Sequence, residues 1–525
     1  MGDIITLLPD HVANQIAAGE VVQRPASVVK ELMENAIDAG SSHVQLIIKE
    51  AGKLLIQVVD DGKGMSITDA RMAFERHATS KIKSADDLFA LNTKGFRGEA
   101  LASIAAVAHV EMLTRTEEDE VATLIKIAGS EIQEQEPCVA PKGSSIAVKN
   151  LFFNIPARRN FLKSNTVELR HIIDEFHRVA LAHPQIAFTF FQGGHELFDL
   201  PATNLRKRIV HIFGSKMDEK LVPVEESTSV SSVSGFVLKP NAAKRTRGQQ
   251  FFFVNDRFIK SPFMHHAIMN AYEGLLADGT VPGYFIFFNL DPQTIDINIH
   301  PTKTEVKFED EQSLYAILRS CIKHSLGMFN VAPTLDFDRD PNLDTPYNQV
   351  SQNAGTPQLE VDSNFNPFKN PETTRFSKPN EASWESLYVE VESQPVPNIL
   401  EQEFSTTKAY DAIKLFQLMN RYIVSSIGSA LLLIDQQRAH ERVLYEQFLT
   451  TITQKKTASQ QLLFPYSLEL DTTQQVLLSD LEEVLVEAGF VFERSSNAVI
   501  IIKGIPVSSS EKEIPNIFEN LFASL

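Results

Sequence analysis

An aspartate followed by two closely spaced glycines is the first feature whose residue types suggest ligand chemistry. The strand-like run 54–59 leads into Asp60, and Gly62 and Gly64 follow it. An aspartate at the end of a strand can accept a hydrogen bond from an exocyclic amine, and glycines let the backbone approach a ligand closely. The same residues would also serve as an ordinary hairpin or loop, so this signal is weak when it is taken alone.

A second segment has the character of an anion site. Residues 76–82 carry hydroxyls and a lysine, and residues 94–104 read as a glycine-framed loop that opens a helix. Backbone amides and the helix dipole attract negative charge at such a helix start. The pattern lacks the Gly-Lys-Ser/Thr ending of a P-loop, which excludes that motif. Ser144, at the start of a later strand, could close the floor of a pocket; the alternative is a helix start without a ligand.

The segment 24–40 has the pattern of an amphipathic helix with an acidic face. At about 100° per residue, Glu31, Asn35 and Asp38 superpose on one side. The opposite side is formed by the apolar residues Val29, Leu32, Met33 and Ala36. Taken alone, this pattern favours an ordinary surface helix with a solvated acidic face.

Length and composition limit the class of protein. The chain has 525 residues, a net charge of −18 and 43% hydrophobic residues. This length predicts roughly two to four domains, and no apolar run reaches the length of a membrane span. The start lacks a secretion signal, and the two cysteines, Cys138 and Cys321, argue against a disulfide framework and for a reducing cytoplasm. With this charge, any DNA contact must come from a local basic patch.

Changes in composition divide the chain into four regions. Alternating strands and helices in 1–212 give way to a smaller α/β block in 213–332. In 333–405, Pro, Asp, Asn and Ser recur without helical or strand period, which predicts a flexible linker before a C-terminal module at 406–525. The strands predicted before the linker lie at 54–59, 110–114, 145–148, 249–254, 284–290 and 296–299.

Several motifs in register resemble a known superfamily. Glu31-x-x-x-Asn35, then Asp60-x-Gly62-x-Gly64, then 95–101 resemble the GHKL ATPases. A closer likeness, to the MutL family of that superfamily, is carried by residues 16–22, 76–82, 151–162 and 296–303. The resemblance implies an α/β (α+β) chain: an N-terminal GHKL (Bergerat) ATPase sandwich, a ribosomal-S5-like α/β transducer domain, a disordered linker and a partial C-terminal α/β dimerisation domain.

The resemblance also implies roles in binding ATP and Mg²⁺. Glu31 would be the catalytic general base, Asn35 a magnesium ligand through its amide oxygen, and Asp60 the acceptor for the adenine amine. Lys303 would reach the γ-phosphate from the second domain. The remaining nucleotide-binding residues would be Gly62, Gly64, Thr79, Ser80, Lys81, Gly95, Phe96, Arg97, Gly98, Glu99, Ala100 and Ser144.

The function that the resemblance implies is that of a mismatch-repair matchmaker. The chain would be a weakly hydrolysing, dimeric DNA clamp that couples mismatch recognition to strand nicking and excision. ATP would dock two N-terminal halves and close a ring, while the C-terminal modules hold the homodimer. Its partners would be DNA, a mismatch-recognition protein of the MutS type, a sliding clamp and a downstream nuclease or helicase, without a membrane. It would act in the bacterial cytoplasm, at the nucleoid.

Two short basic clusters in the second region are candidate DNA contacts. They would bind phosphates without reading sequence, although such runs often form only a solvated surface. Their residues are Lys244, Arg245, Arg247, Arg257 and Lys260.

The C-terminal module resembles the MutL endonuclease motif but departs from it. Asp435, Glu441 and Glu446 fit the motif, whereas Gln437 stands where the family has histidine. Glutamine does not replace imidazole as a ligand of zinc or manganese. The family's later Cys- and His-containing metal motifs are missing before Leu525. Either the natural chain continues or the metal site, with Asp435 and Glu441 as a degenerate remnant, is incomplete, so the sequence does not support nicking by this chain.

A further segment resembles the sliding-clamp-binding motif of these proteins. Gln460 would anchor it, and Leu463 and Phe464 would fill apolar pockets. The alternative is a plain loop that leads into a strand.

Other functions on the same ATPase fold remain open. A topoisomerase would need a strand-cleaving tyrosine domain, for which the C-terminal module has little room, and a chaperone would lack the blocks around Arg76 and Phe152. A scaffold that does not hydrolyse ATP is disfavoured by the presence of Glu31.

Overall fold

The structure, a computed structural model, describes residues 10–80, 98–229, 231–296, 306–329, 415–427, 430–454, 458–496, 499–507 and 509–524. The predicted linker lies outside these residues, as do Lys81, Gly95, Phe96, Arg97 and Lys303. No helix within these ranges is long and apolar enough to cross a membrane.

An eight-stranded mixed sheet forms the centre of the N-terminal domain. Its strands are β1 (His43–Lys49), β2 (Leu55–Asp60), β3 (His109–Arg115), β4 (Ala122–Ala128), β5 (Glu131–Cys138), β6 (Gly143–Lys149), β7 (Ala187–Gln192) and β8 (His195–Leu200). They lie in the order β5-β4-β3-β6-β2-β1-β7-β8. All neighbours pair antiparallel except β1 and β7, which run parallel. The strands predicted at 54–59, 110–114 and 145–148 are thereby confirmed.

In the described part of the N-terminal domain, seven α-helices accompany this sheet. They are α1 (Asp10–Val21), α2 (Pro25–Asp38), α3 (Ile67–Met72), α4 (Ala100–Val107), α5 (Pro156–Phe161), α6 (Asn165–Ala182) and α7 (Leu205–Phe213). In β1 the buried side chains alternate with more exposed ones, so that Val44, Leu46 and Ile48 point into the core. They share this core with the apolar sides of α2, α4 and α6, which gives the predicted α/β sandwich.

Helix α2 forms as its sequence predicts. Pro25 occupies the first turn, where its missing N–H costs no hydrogen bond, and Gly40 follows the helix with a φ of 75°. The predicted apolar side is buried: Val29, Leu32, Met33 and Ala36 are at most 2% exposed. The polar side of the helix therefore faces away from the sheet.

The second domain contains a five-stranded sheet and a separate pair of short strands. The sheet has the order β12-β11-β13-β10-β9, and β11 runs parallel to β13. Its elements are β9 (Leu221–Ser227), β10 (Ser232–Leu238), β11 (Gln250–Val254), β12 (Arg257–Phe258), α8 (Pro262–Ala271), β13 (Tyr284–Asn289) and α9 (Glu311–Met328), and the separate pair is β14 (Ile295–Asp296) with β15 (Lys307–Phe308).

Side chains that alternate along β11 and β13 pack on both sides of the five-stranded sheet, and those on one side contact the N-terminal domain. Phe251, Phe253 and Phe285 lie in the same core as the N-terminal sheet, where the ring of Phe213 is 5.4 Å from that of Phe285. On the opposite face, residues such as Phe252 pack against α8 and α9. The five-stranded sheet is therefore buried on both faces.

The β11–β12 hairpin is fixed by its turn. Asn255 and Asp256 have φ values of 48° and 61° between the paired residues Val254 and Arg257, which makes a two-residue turn of type I′. The Asn255 side chain accepts a hydrogen bond from the Leu290 N–H at 2.9 Å and donates one to the Leu290 carbonyl at 3.0 Å. These bonds hold the hairpin tip beside the end of β13.

The C-terminal region contributes two three-stranded sheets. One consists of β16 (Phe416–Leu418), β17 (Tyr422–Ile427) and β18 (Ala430–Asp435) and leads into α10 (Gln436–Gln454). The other has the order β19-β21-β20 and packs with two helices around a core that includes Ile502 and Phe518. Its elements are β19 (Ser459–Glu469), α11 (Thr472–Glu487), β20 (Val491–Ser496), β21 (Val499–Pro506) and α12 (Ile514–Ser524).

Candidate nucleotide-binding site

A cavity of about 590 Å³ lies between α2, the ends of β2 and β6, and the start of α4. Glu31, Asn35 and Asp38, which the sequence places on one side of α2, all line it. The other predicted site residues that line it are Asp60, Gly64, Thr79, Ser80, Gly98, Glu99, Ala100 and Ser144. Residues from well separated parts of the chain thus converge on one cavity, which has the volume of a small-molecule site.

Asp60 is a half-buried acid of this cavity. It pairs with Ser144 across β2 and β6, and its Oδ1 accepts a hydrogen bond from the Gly62 N–H at 2.9 Å. Burial raises the pKa of its carboxyl, although hydrogen bonds from Gly62, Ser144 and Ser41 oppose that shift. A half-buried carboxylate at a cavity wall is a natural acceptor for an amine donor on a ligand.

The two glycines of this loop are required by the protein's own packing. Gly64 has a φ of 70°, and a Cβ there would lie 2.0 Å from the carbonyl oxygen of Arg115. A Cβ on Gly62 would lie 2.8 Å from the Ala39 Cβ. From the sequence, these glycines were expected to make room for a ligand. In the structure they make room for Ala39 and Arg115 of the same chain.

Thr114 ties this loop to the sheet. Its Oγ1 accepts a hydrogen bond from the Met65 N–H at 2.9 Å and shares another, also 2.9 Å long, with the Ser144 hydroxyl. Thr114 is 1% exposed, so this link is shielded from water. The role of Thr114 was not predicted because its only signal in the sequence is a polar residue in a strand pattern.

The described residues on either side of 81–97 meet at the cavity. The His77 N–H donates to the Gly98 carbonyl at 3.1 Å. Gly98 has a φ of 61°, and a Cβ there would lie 2.4 Å from the Ala78 carbonyl oxygen. Ala100 then begins α4, which confirms the predicted helix start and directs its N-terminal amides toward the cavity region.

Further residues that line the cavity were not predicted. Lys63, Asp69 and His77 add polar groups, and the His77 Nδ1 lies 3.4 Å from the Glu99 Oε1. An apolar wall is formed by Leu32, Val58, Met65, Met72, Leu101 and Ile146. Only their closeness to the motifs in sequence could have indicated them, since residue type alone suggests core packing.

The predicted DNA contacts do not share one environment. Arg245, Arg247 and Lys260 are exposed and Lys244 is half-buried, so their phosphate contacts stay a prediction. Arg257 is only 8% exposed. Its guanidinium lies against the N-terminal domain rather than in solvent, which does not favour the predicted phosphate contact.

The remnant of the nuclease motif is engaged in local hydrogen bonds. The Asp435 carboxylate accepts from the backbone N–H groups of Gln437 at 3.1 Å and Arg438 at 3.2 Å, and these bonds together with Arg421 lower its pKa. The Gln437 amide donates to Glu441 at 3.1 Å. Among the described residues, no group of three or more His, Cys, Asp and Glu is placed to hold a metal. The expectation about nicking stays a prediction.

The predicted clamp-binding residues lie on β19. A bulge between Gln461 and Tyr466 interrupts its pairing with β21, and Leu463 and Phe464 are 87% and 72% exposed. Large apolar side chains on the surface suit docking to a partner, so clamp binding stays a prediction supported by exposure.

Three models of known protein families match separate parts of the chain. A model of the histidine kinase-, DNA gyrase B- and HSP90-like ATPases matches residues 23–152. A model described as the C-terminal domain of DNA mismatch repair proteins matches residues 209–327, and one of the MutL C-terminal dimerisation domain matches residues 415–525.

Individual relatives agree with these matches. The DNA mismatch repair protein MutL of Flavobacterium psychrophilum is 59% identical, over 100% of this chain and 88% of its own length. That of Bacteroides fragilis is 47% identical, over 96% of this chain and 85% of its own length. A solved structure described as the N-terminal domain of a DNA repair protein covers 61% of this chain and 99% of its own, with a TM-score of 0.54 and 21% identity, which supports the fold.

The mixed sheet, α2 and the cavity between them define a GHKL-type ATPase. The chain belongs to the MutL family of DNA mismatch-repair proteins. It combines a nucleotide-binding ATPase domain with a dimerisation domain, which indicates a homodimer, and its relatives are bacterial.

The raised pKa of Asp60 predicts an effect on stability. Asp60→Asn keeps an oxygen acceptor for Gly62 and removes a partly desolvated charge. Ionisation of the wild-type carboxyl destabilises the folded state once the pH exceeds the ordinary pKa of an aspartate. In calorimetry at neutral pH without nucleotide, the variant should melt a few degrees above the wild type. This difference should vanish as the pH falls below 3.8, that ordinary pKa, because the wild-type carboxyl is then protonated in both states.

The neighbouring Asp61 provides a control of opposite sign. Burial raises the pKa of its carboxyl, but hydrogen bonds from Ser42 and His43 outweigh that effect and lower the pKa. Its ionised form therefore stabilises the fold above 3.8, and Asp61→Asn should lower the melting temperature at neutral pH. Changes of the same sign in both variants would contradict this explanation.

Proposed function

We propose that Glu31 is the general base of ATP hydrolysis in a mismatch-repair clamp. The observation that carries the proposal is the convergence of Glu31, Asp60 and the Gly98–Ala100 helix start on one cavity. A carboxylate on the cavity wall can take a proton from a water that attacks the γ-phosphate, if that water lies within hydrogen-bond reach. The helix start opposite it suits the negatively charged phosphates.

The same arrangement orients the nucleotide. The Asp60 carboxylate would accept the adenine amine, while apolar side chains such as Met65 and Leu101 would cover the faces of the base. Thr79, Ser80 and Glu99 would line the path from the base to the phosphates. Gly95 and Arg97, together with Lys81 and Lys303, would complete the phosphate contacts.

Asn35 would hold a magnesium ion beside Glu31. Its side-chain amide offers an oxygen donor on the same cavity wall, and Mg²⁺ prefers oxygen ligands from protein, phosphates and water. The ion would neutralise charge on the triphosphate during hydrolysis. The residues of this wall therefore fit the metal that the family implies.

Binding of ATP would change the state of the dimer. The nucleotide would bring two N-terminal halves together, and the C-terminal domains would keep the chains joined, so that a ring encloses DNA. Arg245, Arg247 and Lys260 would contact DNA phosphates without reading sequence, and Lys244 would add to their charge. The linker 333–405 would set the size of the enclosed space.

The clamp would act as a matchmaker at the nucleoid in the bacterial cytoplasm. It would receive a signal from a mismatch-recognition protein and pass it to a nuclease or helicase. Leu463 and Phe464, exposed beside Gln460, would dock on a sliding clamp. Asp435 and Glu441 are held by local hydrogen bonds, which supports a role as a structural remnant of the nuclease motif.

Removal of the proposed base should separate turnover from binding. In Glu31→Ala, magnesium-dependent ATP turnover should fall by about 100-fold or more, while a fluorescent ATP analogue still binds, because the base acts on water and not on the nucleotide. Glu131→Ala, a change at an exposed glutamate of β5, should leave both unchanged. Equal turnover in Glu31→Ala and wild type would remove Glu31 from the mechanism.

Charge reversal should reveal the DNA surface. Arg245→Glu with Arg247→Glu should weaken binding to duplex DNA at low salt and reduce the slope of log affinity against log salt by about one per lost phosphate contact. The matched control is Lys323→Glu, at an exposed position of α9. If affinity and slope match the wild type in fluorescence anisotropy, these arginines do not contact DNA.

A further inference from the structure

Arg257 is the most deeply buried of the predicted DNA contacts, and its surroundings point to a different role. It is 8% exposed, at the start of β12 and directly after the hairpin turn. A fully charged guanidinium is costly to bury unless carboxylates surround it. Its place in the second domain therefore calls for acidic neighbours.

The acidic neighbours come from α2, the helix that carries Glu31. A small cavity of about 30 Å³ is lined by Lys30, Glu34 and Ile37 of α2 and by Arg257 and Phe258 of the hairpin. Burial lowers the pKa of Arg257, and the charges of Glu34, Asp38 and Glu31 oppose that shift, with Glu34 the strongest of the three. The guanidinium thus lies in the field of the same helix that carries the proposed base.

A second contact places the hairpin against α6. The Arg178 guanidinium lies over the ring of Phe258, with its Cζ 4.2 Å from the ring centroid, and Arg178 forms an ion pair with Glu175 on its own helix. Arg178 and Glu175 also line the small cavity. The hairpin therefore packs against both α2 and α6 of the N-terminal domain.

The β11–β12 hairpin is held rigidly within the second domain. Both turn residues have positive φ, and Asn255 is bonded to the Leu290 backbone in both directions. A displacement of the second domain would therefore carry Arg257 with it.

We infer that Arg257 is a positioning residue for ATP hydrolysis: through Glu34 it fixes α2 relative to the second domain and so sets the place of the Glu31 carboxylate in the nucleotide cavity. The inference rests on the proposed function of Glu31. Glu34 and Glu31 are one turn apart on α2, so a shift of one moves the other. A misplacement of a catalytic group by about 1 Å can cost about 100-fold in rate.

The test compares turnover and nucleotide affinity in the full-length chain. In Arg257→Gln, kcat for ATP should fall by about 10- to 100-fold, with the affinity for a fluorescent ATP analogue unchanged within about twofold. Arg257→Lys should recover part of the rate because it restores the charge. Glu34→Gln, which keeps the shape of the side chain and removes its charge, should reproduce the loss even if Arg257→Gln folds poorly.

A double-mutant cycle shows whether the two residues act together. Arg257→Gln combined with Glu34→Gln should lose no more turnover than either single variant, since both remove the same electrostatic interaction. Tyr272→Phe controls for a purely structural effect: it removes the hydrogen bond from a buried hydroxyl to the Leu238 carbonyl in the same domain, and it should lower the melting temperature without a change in kcat.

Two results would overturn the inference. One is wild-type kcat in Arg257→Gln and Glu34→Gln; the other is additive losses in the double variant. Failure of the proposed function would be recognised separately. Full ATP turnover in Glu31→Ala would show that Glu31 is not the general base, whatever the turnover of the Arg257 and Glu34 variants.

Discussion

The orientation of α2 is the constraint on which the nucleotide site depends. Val28, Val29 and Met33 are 0% exposed, so rotation of the helix would expose apolar surface at a cost of about 25 cal/mol per Å². This burial directs Glu31 into the nucleotide cavity and Glu34 toward the hairpin of the second domain. One helix therefore connects the site of hydrolysis with the contact between domains.

The second domain is attached by apolar packing as well as by charge. Phe251, Phe253 and Phe285 enter the core of the N-terminal sheet, while the Arg178–Phe258 contact and Arg257 secure the edge of the sheet. The packed aromatic rings set the average orientation of the domain. The buried charge of Arg257 adds an electrostatic attraction to α2. Such an arrangement suits the proposed response of the domains to a bound nucleotide.

The sequence predicts the local elements of the site well because they depend on periodicity. The acidic side of α2, the strand that ends at Asp60 and the helix start after Gly98 all follow from local patterns. Long-range packing could not be read in this way. The need for glycine at position 64 comes from a carbonyl of another strand, and the burial of Arg257 comes from a helix far away in the chain. At Arg257 alone, a basic run in the sequence suggested a DNA contact at a side chain that the fold places between domains.

The most direct test of the nucleotide site is a crystal structure of the protein with magnesium and a non-hydrolysable ATP analogue. We expect one nucleotide per chain, with the adenine amine within hydrogen-bond distance of the Asp60 carboxylate and the γ-phosphate between Glu31 and the start of α4. A nucleotide bound in another cavity, or one whose γ-phosphate lies remote from Glu31, would contradict the proposed mechanism.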